Sequence, residues 1–126
     1  MESISVDVVG DVSEVRYVGV FKIKTRLSHR DSLRKDQIRR ELIGTHSESV
    51  SNQAFSIAEA FSIISAHVVD APQWWIAAGN GMDLEDNNVV EKVLKEIEGA
   101  KKIDVDARKA KTATDKKSLE KELNEV

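Results

Sequence analysis

The sequence predicts an α+β domain: an N-terminal β-hairpin followed by about three helices and a charged, partly helical C-terminal tail. Three observations carry that prediction. Apolar and polar residues alternate strictly at the N-terminus, apolar spacing turns helical from about residue 29 onward, and the composition becomes Lys/Asp/Glu/Ala-rich after Gly99. With 126 residues and 40% apolar content, one modest core is the expectation, so residues 1–99 form a single domain and 100–126 a tail.

In the hairpin (3–27), Ile4, Val6 and Val8 alternate with Ser3, Ser5 and Asp7, and the polar stretch 10–14 supplies a turn. The second run places Val15, Tyr17, Phe21, Ile23 and Leu27 on one face, with Arg16, Lys22, Lys24 and Arg26 on the other beside Val18 and Val20. A two-stranded ribbon is marginal in water, so helices or a neighbouring chain must cover it.

Ser28 with Asp31 forms a capping-box pattern, which starts a helix over about 29–43 that ends at Gly44. Its apolar positions, Leu33, Ile38, Leu42 and Ile43, are few, so it lies on the surface. After a polar loop (45–51), Asn52 is a candidate cap for a second helix over 53–69. Its Ala54, Phe55, Ile57, Ala58, Phe61, Ile64, Ala66 and Val68 mark it as the central core helix. Pro72 forbids its continuation, and Gly79-Asn80-Gly81 reads as a turn. Asp83 or Asp86 caps a third helix over 86–98, amphipathic through Val89, Val90, Val93, Leu94 and Ile97 and stopped by Gly99. The tail carries only scattered apolar residues, and a frayed or partner-stabilised helix is expected there.

Composition excludes several functions. Without cysteine there is no disulfide scaffold, thiolate metal site or thiol nucleophile. No apolar run is long enough to span a bilayer and the first residues lack a signal-peptide pattern, so a cytosolic protein is expected. His29, His46 and His67 accompany no HExxH or serine-elbow motif. The acidic run 83–88 lacks the glycine of a calcium loop at its sixth position and has Leu94 where the bidentate Glu belongs, which leaves helix capping. Gly79-Asn80-Gly81 has no following Lys-Ser/Thr to make it a phosphate loop. Neither a catalytic constellation nor a cofactor or metal site is expected.

Net charge is −3 but uneven: eight basic residues from Lys22 to Arg40 oppose Asp31 and Asp36, and ten acids from Glu41 to Glu98 oppose Lys92 and Lys95. Arg34, Lys35, Arg39 and Arg40 form the expected basic surface. It has no interleaved aromatics, and the total charge is negative, which argues against nucleic acid and for a partner-facing patch. Adjacent tryptophans after a proline are rarely both buried, so Trp74 and Trp75, with Val90, Leu94 and Ile97 of the third helix, are the expected partner-binding surface.

The runs Leu33-Arg34-Lys35-Asp36-Gln37-Ile38-Arg39-Arg40, Val69-Asp70-Ala71-Pro72-Gln73-Trp74-Trp75 and Gly81-Met82-Asp83-Leu84-Glu85-Asp86-Asn87-Asn88-Val89-Val90 resemble small tailed-bacteriophage tail assembly chaperones across residues 15–97. The resemblance implies a noncatalytic protein of the host cytoplasm that binds the tape measure protein and recruits tail tube subunits, in some cases as a homo-oligomer or with a frameshift-extended form. The long hairpin departs from that helix-dominated pattern. It leaves open a structural protein of the virion tail or head, while the basic surface of Arg34, Lys35, Arg39 and Arg40 keeps a nucleic-acid-binding accessory protein as a third reading.

Overall fold

The computed structural model describes residues 2–44 and 51–124, with side chains described through residue 112. Its elements are β1 (Glu2–Val9), β2 (Arg16–Ile23), α1 (His29–Ile43), α2 (Asn52–His67), β3 (Val68–Asp70), α3 (Gln73–Ala77) and α4 (Asn87–Asn124). The molecule is α+β with an N-terminal antiparallel hairpin, as the alternation predicts.

β1 and β2 pair in unbroken register from Glu2 opposite Ile23 to Val9 opposite Arg16, and the short β3 adds antiparallel to the end of β2. Ile4, Val6, Phe21 and Ile23 point to one face and are buried there. Phe61 and Ile64 of α2, Trp75 of α3 and Val93 and Ile97 of α4 close the core over that face. Ser3, Ser5, Asp7, Val18, Val20 and Lys22 lie on the opposite, uncovered face.

The capping box is formed: Ser28 Oγ accepts the Asp31 N–H at 3.1 Å, and the Asp31 carboxylate accepts the Ser28 N–H at 3.0 Å. Lys24 Nζ, 2.7 Å from Asp31, together with those Ser28 contacts lowers the Asp31 pKa to about 2. Gly44 ends α1 at φ 83°. α1 is indeed a surface helix, for none of its residues is buried.

Several boundaries differ from expectation. Ser51 caps α2, accepting the Ala54 N–H at 3.1 Å, and Asn52 is already helical; the rest of the expected 45–51 loop lies outside the described residues. α2 ends at His67 because the next residues pair with β2, with Lys24 donating its N–H to His67 O at 2.9 Å. The β-branched pair Val68-Val69 favours that extended exit. Gln73–Ala77 forms a one-turn helix started by Pro72. Gly79-Asn80-Gly81 is the expected turn, all three residues having positive φ. Gly99 does not stop the third helix: α4 runs through it to Asn124, because helix formers follow and nothing turns the backbone out of the helical region there.

Candidate partner-binding surface

Pro72 and the turn at 79–81 hold the two tryptophans in different settings. Trp75 is 1% exposed and meets Phe21 edge-to-face at 5.4 Å and Trp74 at 6.0 Å between ring centroids. A Cβ on Gly81 would fall on the Trp75 ring, so the glycine supplies both the positive φ and the room. Trp74 is half-buried, lies tilted against Tyr17 with ring centroids 4.9 Å apart, and donates its indole N–H to Val18 O at 3.0 Å. Gly19 lets this cover approach, since a Cβ there would strike the Pro72 ring. Pro72 and Trp74 thus close the part of the β2 edge that β3 does not reach.

The expected partner-binding surface requires correction. Trp75 and Ile97 are core residues, and Val90 and Leu94 are half-buried against that core. Trp74 is likewise half-buried against that core, and its indole N–H is already committed. α4 turns Val89, Val93 and Ile97 inward because the sheet needs a cover.

The basic surface is also partly spent. Asp36 binds Arg39 at 2.7 Å and Arg40 at 2.9 Å, and Arg39 lies over the Phe55 ring at 5.8 Å. Lys35 is half-buried, and Arg34 borders a groove of about 520 Å³ lined by Ile38, Val68, Val69, Ala71 and Ile76.

Apolar surface emerges instead on the α1–α2 pair. The core-facing stripe of α2 runs outward from Ile64 at 2% exposure through Phe61 at 8% to Ile57 at 46%, with Phe55 and Leu42 also exposed nearby. No periodicity rule separates Ile57 from Ile64, because the stripe is the same and only its cover ends.

The acidic run serves the fold. Asp86 precedes α4 in the cap position, its carbonyl accepting the Val89 N–H, but its buried carboxylate points to the hairpin turn. There it accepts the N–H groups of Val12 and Ser13 at 2.8 Å each and the Ser13 hydroxyl at 2.7 Å, and these bonds hold its pKa below the usual carboxylate value. Asn88 completes the clasp by donating to Val9 O at 2.7 Å and accepting from the Asp11 N–H at 3.0 Å. Asp83 is exposed in the preceding turn.

His29 is exposed at the start of α1, and His46 lies outside the described residues. His67 is fully buried; its Nδ1 donates to Ile63 O at 2.7 Å and its Nε2 has no hydrogen-bond partner among the described residues. Burial lowers its pKa despite that bond, with Lys101, Lys35 and Lys24 acting in the same direction. The folded state therefore excludes a proton that the unfolded chain binds below about pH 6.5, and stability falls as pH drops through the unfolded value toward the lower folded one. In urea unfolding series from pH 7 to pH 5, His67→Gln should remove much of that slope; an unchanged slope would place the linkage elsewhere.

Among the described residues no group of three or more His, Cys, Asp or Glu side chains gathers to hold a metal, and no helix is long and apolar enough to cross a membrane. No family model, curated protein or solved structure matches the chain.

Proposed function

We propose that this chain is a noncatalytic assembly protein that holds other proteins, acting as a tail assembly chaperone of a tailed bacteriophage in the host cytoplasm. The finer part rests on the sequence resemblance. The structural observation that supports a binding role is the α1–α2 pair: α1 buries none of its residues, while Phe55, Ile57 and Leu42 leave apolar surface beyond the core. An amphipathic helix of a tape measure protein could lay its apolar face there, with Arg34 and Arg30 available to its carboxylates.

Co-expression with tape measure and tail tube proteins tests the reading. Tagged wild-type chain should retain the tape measure protein, and Phe55→Asp with Ile57→Asp should lose it while keeping the wild-type helical circular dichroism, both positions lying outside the buried core. Failure of the wild type to retain either protein would overturn the proposal. The alternative, a structural virion protein, is favoured by the open strand edge described next and predicts the chain in finished particles by mass spectrometry, where a chaperone is absent.

A further inference from the structure

The hydrogen-bonding phase of the hairpin identifies which backbone groups of β1 point away from β2. The Gly10 N–H donates to Val15 O at 2.8 Å, which makes the even-numbered residues of β1 the ones bonded to β2. Ser3, Ser5, Asp7 and Val9 therefore direct their N–H and C=O groups outward. Val9 O is taken by Asn88, whereas Ser3, Ser5 and Asp7 have no backbone partner among the described residues.

Exposed edges of this length are ordinarily blunted by proline, lysine, a bulge or a covering element. The other long edge in this sheet is covered, by β3, Pro72 and Trp74. β1 has no bulge, proline or lysine: its register is regular over all eight residues, and its two charges, Glu2 and Asp7, stand away from the central Ser5, Asp7 being paired with Arg16.

We infer that β1 pairs antiparallel with β1 of a second copy of this chain about a two-fold axis through Ser5, making a continuous six-stranded sheet. That register sets Ser5 opposite Ser5, Ser3 opposite Asp7 and Ile4 opposite Val6, so no like charges face one another. It also completes a charge pairing. Along one row of the open face, Val18 and Asp7 of one copy continue into Ser3 and Lys22 of the other. Lys22 has no ion pair among the described residues, and across two strand spacings, about 10 Å, its side chain reaches Asp7 over the small Ser3. Arg16 already lies 2.7 Å from Asp7 in the same chain, so the carboxylate would sit between two cations. A groove of about 500 Å³ beside the edge, lined by Ile4, Gly99, Ala100 and Ile103, leaves room for the second copy, and Ile103, 72% exposed, is positioned to gain cover there.

Sedimentation equilibrium of the full chain tests the pairing. Wild type should dimerise. Ser5→Lys and Ser5→Glu, each placing like charges across the axis, should weaken dimerisation about fivefold, and their equimolar mixture should recover it as a heterodimer. Ser5→Pro removes the N–H of the central bonded pair without touching a bond inside the chain and should leave a monomer with unchanged far-ultraviolet circular dichroism. A monomeric wild type, as expected if the edge instead takes a strand from another protein, would overturn the inference. So would charge variants that dimerise like wild type, or a mixture that fails to recover.

Discussion

Trp75→Ala should cost about 3–5 kcal/mol of folding stability, the range for deleting a large aromatic side chain from a closed core. Trp75 is the largest fully buried side chain, and it joins α3 to the sheet through Phe21 and to the 79–81 turn through Gly81. Removing it takes away apolar burial and leaves a cavity that the short α3 cannot collapse into without breaking the turn. Domains of this size are stable by roughly 5–15 kcal/mol, so the loss is a large fraction of the total. Urea denaturation should show a lower midpoint with little change in slope. A cost below about 1 kcal/mol would mean that Trp75 is not the keystone its burial suggests. For the same reason, loss of partner binding in a variant lacking both tryptophans would report unfolding rather than a contact.

Asp86→Ala should lower the thermal midpoint by on the order of 10 °C, because the Val12 and Ser13 N–H groups lose a charged acceptor and the hairpin turn loses its tie to α4. The effect should be local before it is global, with hydrogen exchange at Val12 and Ser13 accelerating more than at Phe21 or Ile23. The bonds at Asp86 depress its folded pKa, so its stabilisation is present above the unfolded value near 4 and disappears as pH falls through the lower folded one. Asp86→Asn should therefore flatten the acid limb of the stability profile below about pH 4, while the His67 slope between pH 7 and 5 persists. Equal protection at the turn in wild type and variant would remove Asp86 from this role.

The features legible in the sequence are those set by local chemistry. Alternation at Ile4, Val6 and Val8 specified the hairpin, Ser28 with Asp31 specified the start of α1, and the spacing of Val89, Val93 and Ile97 specified which face of α4 is buried. What escaped was set by partners distant in the chain. Asp86 beside a helix start carries the pattern of an N-cap whether its carboxylate bonds its own helix or a turn 73 residues away. Trp74 and Trp75 are identical in type and adjacent, and both meet Phe21; only the close approach of Gly81 to Trp75 and of the Val18 carbonyl to the Trp74 indole decides that one is core and the other an edge cover. Three residues of β3 are too few to show alternation and draw their structure from Lys22 and Ile23. Gly99 carried a stop signal, but its backbone remains helical with open space around the missing Cβ. Of the expected binding residues, the aliphatic ones on α4 were recognised correctly as a stripe, while the element facing that stripe is the chain's own sheet.

The clasp at the hairpin tip also orders events during synthesis. Strands β1 and β2 leave the ribosome before the helices and can meet by closing a short loop, at small entropic cost. The turn amides of Asp11, Val12 and Ser13 must then wait for Asp86 and Asn88, over 70 residues later, and the sheet's inner face waits with them for Val89, Val93 and Ile97. A nascent chain stopped before residue 86 thus has an apolar ribbon that only α2 and Trp75 can cover, and the arrival of α4 fastens the tip and completes the cover together.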